Sequence, residues 1–260
     1  MTTPTPANGG SFGEKYNFSW QQVMLRIKDP RVSIPFYEEN FGMKLVHFYN
    51  FRAARFSVYF LERPRDGAKM PTPGTAEAEE YLWNMKGTCL ELTYNHGSES
   101  DENFSVNNGN VLPYRGFGHI AFNCDDIEVA ALELEKNGVS FYKKPHEGCI
   151  KTIAFALDPD GYWIELCNRS KTAGIKEKYN LSQTMLRVKD AEKSLAFYRD
   201  ILGMKLIMKK VHLDFTIYFL AFLPPGVEPP RDVEVCLQPP SNSLLLKQIS
   251  NNPLYKERNK

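Results

Sequence analysis

The sequence predicts an α+β fold built from repeated βαβββ units. Two stretches are near copies of each other: "QQVMLRIKD", which begins at Gln21, and "SQTMLRVKD", which begins at Ser182. The apolar patterns that follow each copy come in the same order, and the segment between them repeats that order with a different sequence. A repeat of this length determines the architecture, because each repeat is one supersecondary unit that buries its apolar face against a neighbour.

The first unit has the pattern of a strand, a helix and three further strands. After "MLRIKD", Asp29 is a helix-capping residue, Pro30 suits a first helical turn, and Gly42 lies where the helix would end. The segments "MKLVHFYNF", "ARFSVYFLER" and "GTCLELTYN" then alternate or run apolar, with many β-branched and aromatic residues. This composition predicts three strands.

The second unit starts at Gly118 and follows the same plan. A strand "GHIAFNC" precedes "DDIEVAALELEKNG", which has apolar residues at helical spacing and Gly138 at its end. Three strands are predicted next, in "VSFYKKP", "IKTIAFAL" and "YWIELCN". The "DPDG" stretch at 158–161 has turn composition, which makes the last two strands a hairpin.

A third unit follows the polar stretch "NRSKTAGIKEKYN" and contains "QTMLRVKD", "AEKSLAFYRDILG", "MKLIMKKVH" and "DFTIYFLAF". The remaining sequence has proline pairs and no clear period, which is typical of an irregular or disordered tail. We therefore predict a disordered tail over 1–14, a first domain of two units over 15–170, a linker over 171–178, an incomplete second domain over 179–224, and an irregular or disordered tail over 225–260.

Composition excludes some classes of partner. Over 260 residues the net charge is +1 with both signs interspersed, which gives no electrostatic footprint for nucleic acid or an anionic membrane. We expect neither a signal peptide nor a membrane span, since the start lacks basic and apolar runs and no stretch approaches about 18 apolar residues. The five cysteines are odd in number and lack metal-type spacing, so a reduced, cytoplasmic location is expected.

Four polar residues occupy matching positions in the first two units. Gln22 corresponds to His119 on the opening strands, and Glu91 corresponds to Glu165 on the closing strands. Two similar units related by a pseudo-twofold axis would bring together an amide oxygen, an imidazole and two carboxylates. Those groups are ligands for zinc, nickel, cobalt or manganese. Spacing alone leaves the alternative that His119 is a core residue and that both glutamates face water on half-exposed sheets.

The amino-acid sequences of the motifs are more specific than the spacing of these residues. The stretches "QQVMLRIKDP", "SVYFLER", "GTCLELTYNHG", "GNVLPYRGFGHIAF", "GVSFYKKP" and "AFALDPDGYWIEL" together resemble glyoxalase I (lactoylglutathione lyase) of the eukaryotic zinc-dependent type, in the vicinal oxygen chelate superfamily. The resemblance runs from about Phe18 to Asn168 and resumes from Tyr179 to about Leu223. The arrangement is similar to the tandem two-domain form of fungi and some protists, with a shortened second copy.

The resemblance implies a βαβββ glyoxalase fold and metal-assisted isomerisation of the methylglyoxal–glutathione hemithioacetal to S-D-lactoylglutathione, which detoxifies methylglyoxal. The proton would move through an enediolate, with Glu165 as the base and Glu91 serving the mirror-image substrate. Zn²⁺ is the expected ion, with Ni²⁺ as the other ion that suits the ligands. The implied metal ligands are Gln22, Glu91, His119 and Glu165, and the implied glutathione-binding residues are Arg26, Asn95, Arg115, Lys143 and Ile150.

Two assemblies remain open from the sequence. The family builds each site from the Gln and Glu of one unit and the His and Glu of another, either across a homodimer or within a tandem chain. In the third unit Gln183 and Arg187 match the Gln and Arg of the first, but the sequence suggests no counterpart of Glu91 beyond Glu234, whose spacing is too short. The site would then be formed by the second and third units, or by the first and second units of two chains.

Two other functions are weighed against the lyase. Another vicinal oxygen chelate enzyme would share the fold with a different ligand set; iron dioxygenases require two histidines and a carboxylate, whereas Gln22 stands here in place of a histidine. The other alternative is a catalytically impaired, truncated protein that binds glutathione conjugates.

Overall fold

The computed structural model describes residues 10–64, 69–85, 87–148, 150–169, 178–223, 226–229 and 245–251. The chain divides into a major unit, Gln21–Gln183, and a minor unit formed by residues up to Trp20 together with those from Thr184 onward. A short helix, α1 (Phe12–Lys15), belongs to the minor unit. None of the described helices has the length and apolarity needed to cross a membrane.

The first repeat of the major unit forms a four-stranded sheet with a helix after its first strand. Its elements are β1 (Gln22–Ile27), α2 (Pro30–Phe41), β2 (Lys44–Phe51), β3 (Phe56–Glu62), α3 (Ala76–Asn84) and β4 (Cys89–Asn95), with the strands in the order β1-β4-β3-β2. The predicted signals of α2 are confirmed: the Asp29 side chain accepts from the Arg31 backbone N–H, and Gly42 ends the helix with φ 62°. Helix α3, which Thr75 caps, was not predicted from the sequence.

The second repeat has the predicted order of one strand, one helix and three strands. It contains β5 (Phe117–Cys124), α4 (Ile127–Lys136), β6 (Phe141–Lys143), β7 (Ile153–Leu157) and β8 (Trp163–Asn168). Within the major unit its strands follow the order β9-β5-β8-β7-β6, where β9 (Tyr179–Arg187) contributes its residues up to Gln183. The hairpin predicted from "DPDG" is confirmed, because β7 and β8 pair antiparallel with Leu157 opposite Trp163.

Two carboxylates of this hairpin turn connect the second repeat to the first. Buried Asp158 accepts a 2.8 Å hydrogen bond from the hydroxyl of Tyr37, which is fully buried on α2. Asp160 accepts from the Lys28 backbone N–H at 2.9 Å and from the Ser33 hydroxyl at 3.0 Å. The turn that leads into β8 is therefore fixed to α2 and to the residue that follows β1.

We expect the free energy of unfolding to depend on pH through Asp158. Burial raises the pKa of this carboxyl to about 7 from its ordinary value of 3.8, although the Tyr37 hydroxyl and nearby backbone N–H groups favour ionisation. Between about pH 4 and pH 7 the unfolded chain has lost this proton while the folded chain keeps it, so stability falls as pH rises through this window. Urea unfolding at several pH values should show this decline in the wild type and a smaller one in Asp158→Asn. Identical slopes in the two proteins would contradict the assignment, and Tyr37→Phe should extend the window to higher pH.

The minor unit contains the third repeat. Its elements are α5 (Ala191–Leu195), which continues as a wider π-helical turn over Ala196–Ile201, and the strands β10 (Lys205–Val211), β11 (Phe215–Ala221) and β12 (Leu245–Asn251). Its strands follow the order β10-β11-β12-β9, where β9 contributes its residues from Thr184 onward. Strand β12 lies within 225–260, the range in which an irregular or disordered tail is predicted from the sequence. Its polar centre, Lys247 and Gln248, obscured the strand pattern. The rest of that range outside 226–229 and 245–251 lies beyond the described residues, and so does Glu234.

Strand β12 has the same place in the third repeat that β4 has in the first. Phe60 pairs with Glu91 in the first repeat, and Phe219 pairs with Lys247 in the third. An ammonium group has no lone pair for a metal ion. The third repeat therefore has a complete set of four strands, but at this register position it cannot supply a carboxylate ligand.

The N-terminal residues also differ in part from the expected disordered tail over 1–14. Ser11 caps α1 in a capping box with Glu14, and the Glu14 carboxylate accepts a 2.6 Å hydrogen bond from Lys205 of β10. The bond to Lys205 is the main cause that lowers the pKa of Glu14 to about 2. Residues 1–9 lie outside the described part of the chain.

Gln248→Leu should stabilise the minor unit. The Gln248 side chain is fully buried, and neither its Nε2 nor its Oε1 has a hydrogen-bond partner among the described residues. It pairs with Tyr218 as Leu92 pairs with Tyr59 in the first repeat, so leucine suits the position. Removing the unpaired amide should raise the free energy of unfolding by about 1–3 kcal/mol. Thermal and urea unfolding would measure this, with Leu92→Gln as the matched destabilising control. A Gln248→Leu protein that is less stable than the wild type would contradict it.

Candidate active site

The centre of the candidate site is a buried imidazole–carboxylate pair in the second repeat. Strands β5 and β8 are parallel neighbours with His119 opposite Trp163, which places His119 near Glu165 on adjoining strands. His119 Nε2 lies 3.1 Å from Glu165 Oε2. The two residues are 2% and 1% exposed, respectively, so bulk water is largely excluded from both.

Gln183 joins this pair from β9, the strand next to β5. Its Nε2 donates to Glu165 Oε2 at 2.8 Å and lies 3.5 Å from the Sγ of Cys167, which accepts a second, weaker hydrogen bond. The side chain is 6% exposed, and its Oε1 has no hydrogen-bond partner among the described residues. A buried amide oxygen without a donor costs about 1–3 kcal/mol, so this oxygen is suited to a cation.

The donors His119, Glu165 and Gln183 fit a divalent metal of the zinc type. They offer an imidazole nitrogen, a carboxylate and an unpaired amide oxygen, and catalytic zinc sites commonly have three protein ligands and one open position. Among the described residues, no group of three or more His, Cys, Asp or Glu side chains is placed to hold an ion. The third donor of this set is accordingly the amide of Gln183.

Gln22 and Glu91 form a second pair, in the sheet of the first repeat. The Gln22 amide donates to Glu91 Oε2, and the Thr93 hydroxyl donates to Glu91 Oε1 at 3.1 Å. Because no three acidic, histidine or cysteine side chains of the described chain converge, Glu91 does not join His119 and Glu165 in one cluster. Within one chain the four predicted ligands are thus divided into two pairs.

The predicted substrate-binding residues divide in a similar way. Arg26 donates to the Asn95 side chain at 2.9 Å on the exposed face of the first sheet. Lys143 Nζ donates to the backbone carbonyl of Ile150 at 2.8 Å and to that of Ile153 at 2.6 Å. Arg115 is exposed in the segment before β5.

Lys143 also interacts electrostatically with the imidazole–carboxylate pair of the second repeat, through Glu165. Burial lowers the pKa of its ammonium group, and the charges of Glu147 and Glu165 oppose that effect. Lys143 and Ile150 therefore belong with Glu165 in the second repeat, whereas Arg26 and Asn95 belong with Glu91 in the first repeat.

Cys167 is a neighbour of the site that was not predicted from the sequence. It follows Glu165 by two residues on the same strand, so both side chains lie on one face of β8. That spacing was the available signal.

Comparisons with known proteins agree with this architecture. The family model described as Glyoxalase/Bleomycin resistance protein/Dioxygenase superfamily matches residues 20–166 and 180–231. Lactoylglutathione lyase of Schizosaccharomyces pombe is 46% identical over 228 residues, which cover 85% of this chain and 71% of that protein. Glyoxalase I of Saccharomyces cerevisiae is 44% identical over 206 residues, 76% of this chain and 61% of that protein, so the match spans less than two thirds of its length.

A crystal structure of glyoxalase I from Zea mays has a TM-score of 0.62 and 28% sequence identity, with 90% of this chain and 68% of that chain covered. The family match covers both sheets of the major unit and most of the described third repeat. The predicted α+β fold of repeated units is confirmed. The chain belongs to the Glyoxalase/Bleomycin resistance protein/Dioxygenase superfamily and is a homologue of glyoxalase I.

Proposed function

We propose that the protein is a lactoylglutathione lyase that isomerises the methylglyoxal–glutathione hemithioacetal to S-D-lactoylglutathione. The observation that carries this proposal is the convergence of His119, Glu165 and Gln183 in a buried site, where Gln183 Oε1 has no hydrogen-bond partner in the part of the chain that the structure describes. The relatives that bear the names glyoxalase I and lactoylglutathione lyase support the same reaction.

His119 Nε2, Glu165 and Gln183 Oε1 would hold the ion, with Zn²⁺ or Ni²⁺ as the proposed metal. When bound, such an ion supplies a Lewis acid that stabilises negative charge on substrate oxygens. Glu165 has the role of the base that takes the proton from carbon and returns it to the neighbouring carbon. Its burial keeps bulk water away, which protects the transferred proton from exchange with solvent.

Glutathione carries two carboxylates and several amides, so cationic and amide side chains suit it. We assign Lys143 and Ile150 to its contacts on the second repeat. Arg26, Asn95 and Arg115 remain predicted contacts. The assignment of Gln22 and Glu91 to the same metal as His119 and Glu165 requires a second chain, and it is therefore the prediction for a homodimer.

None of the three described cysteines, Cys89, Cys124 and Cys167, forms a disulfide bond with another described residue. Burial raises the pKa of the Cys89 thiol to about 12 and that of Cys124 to about 11, so both stay protonated and inert. Free thiols are typical of a reducing compartment. A cytoplasmic location is proposed on this basis.

The proposal is tested with purified, metal-stripped protein. After addition of Zn²⁺ or Ni²⁺, the formation of the thioester from methylglyoxal and glutathione is followed, and bound metal is measured in the same samples. About one ion per chain together with lyase turnover is the expected result. Metal binding without turnover would favour another enzyme of the superfamily, and glutathione-conjugate binding with neither metal nor turnover would favour an impaired binding protein.

A further inference from the structure

We propose that Cys167 is a positioning residue, which holds the Gln183 amide in the orientation that presents Oε1 for the metal. This inference rests on the proposed function. The Cys167 side chain is proposed to contact no substrate atom and to act only through Gln183. It is supported by two hydrogen bonds of this amide and by the burial of its carbonyl oxygen.

The first step is the hydrogen bonding of the Gln183 amide. A primary amide has two N–H donors and one carbonyl acceptor. Here Nε2 has two acceptors, Glu165 Oε2 at 2.8 Å and Cys167 Sγ at 3.5 Å. Both N–H groups donate toward β8. The carbonyl oxygen is therefore directed away from that strand, and it has no hydrogen-bond partner among the described residues.

The second step concerns what the thiol does to the amide. Cys167 Sγ is the other acceptor of Nε2 among the described residues, and it lies on the same face of β8 as Glu165. With both N–H groups held, the amide plane is fixed by two contacts. Without the thiol, the amide keeps one contact and is freer to rotate about its terminal bond, which moves Oε1.

The first repeat supplies an internal comparison. Thr93 follows Glu91 by two residues, as Cys167 follows Glu165, and its hydroxyl donates to Glu91 Oε1 at 3.1 Å. In both repeats this position contacts the Gln–Glu pair, but by different chemistry: the threonine bonds the carboxylate, whereas the cysteine bonds the amide. Threonine is therefore a natural replacement that keeps an acceptor at residue 167.

The experiment uses the full chain loaded with Co²⁺ alone, whose visible absorption reports the ligand geometry. Cys167→Val removes the acceptor and should weaken Co²⁺ binding about 3- to 10-fold, change the absorption spectrum and lower kcat with KM nearly unchanged. Cys167→Thr keeps an acceptor and should remain within about 2-fold of the wild type. In a Gln183→Ala background, Cys167→Val should have no further effect, because the cysteine acts through the amide.

Three results would overturn the inference while leaving the lyase proposal intact. They are wild-type Co²⁺ affinity and spectrum in Cys167→Val, equal losses in the presence and absence of Gln183, and an intense thiolate-to-cobalt charge-transfer band in the wild type, which would make Cys167 a ligand. A wild-type protein that binds no Co²⁺ would overturn the proposed function and this inference together. Thermal unfolding of each variant without metal shows whether a loss reflects misfolding, and Cys167→Thr then decides the outcome.

Discussion

Glu165→Gln should lower kcat by about 10³-fold, because an amide can still contact an ion but cannot take a proton. General-base catalysis contributes about 10²–10⁴-fold in enzymes. Glu165 is 1% exposed and contacts both His119 and Gln183, so no neighbouring water can easily replace it. Glutamine has nearly the same shape as glutamate, and the variant should therefore keep its fold.

Glu91→Gln is the matched control for this prediction. Glu91 lies beside Gln22 in the other sheet of the major unit, so its replacement should change kcat by less than about 10-fold for the preferred hemithioacetal enantiomer. Steady-state kinetics of both variants, with metal content measured in each sample, would check the asymmetry. Equal residual rates would show that the two glutamates are equivalent and would remove the special role of Glu165.

His119→Ala should abolish stable metal binding, with a fall in Zn²⁺ affinity of at least about 100-fold. Loss of groups that merely support a ligand costs about 10–100-fold, so the loss of a ligand itself should cost no less. His119 is 2% exposed and lies 5.2 Å from the Phe155 ring, centre to centre, so part of the effect on stability will come from lost packing.

His47→Ala controls for that packing loss, since His47 is also a buried histidine but lies on β2 of the first repeat. Competition with a chromogenic chelator would give the Zn²⁺ affinities, and thermal unfolding without metal would give the cost of the missing imidazole. His47→Ala should bind Zn²⁺ as the wild type does. Unchanged affinity in His119→Ala would exclude this residue as a ligand.

Much of this fold could be predicted because the repeated units have local signals. Helix α2 begins at Pro30, after the capping residue Asp29, and ends at Gly42 because of side-chain and backbone preferences that act within a few residues. The "DPDG" turn likewise follows from the composition of four residues. Strand β12 could not be found in this way, since Lys247 and Gln248 interrupt its apolar pattern and its pairing with β11 is the main evidence for it.

The candidate site was only partly predictable for a related reason. The matching positions of His119 and Glu165 follow from strand order, and the copy of Gln22 at Gln183 is visible in the sequence. Which glutamine meets Glu165 depends on which strand lies beside β5, a choice made by tertiary packing. The neighbour is β9, and it brings Gln183 to the carboxylate.

The central claim is that the working site of this chain takes its amide from Gln183. The most direct measurement compares Gln183→Ala with Gln22→Ala in the full chain, by Zn²⁺ affinity and by kcat/KM. Gln183→Ala should weaken both by about 10- to 100-fold, and Gln22→Ala should leave both within about 3-fold of the wild type. If Gln22→Ala inactivates the protein while Gln183→Ala does not, the site is formed by the first and second repeats of two chains, and the claim is wrong.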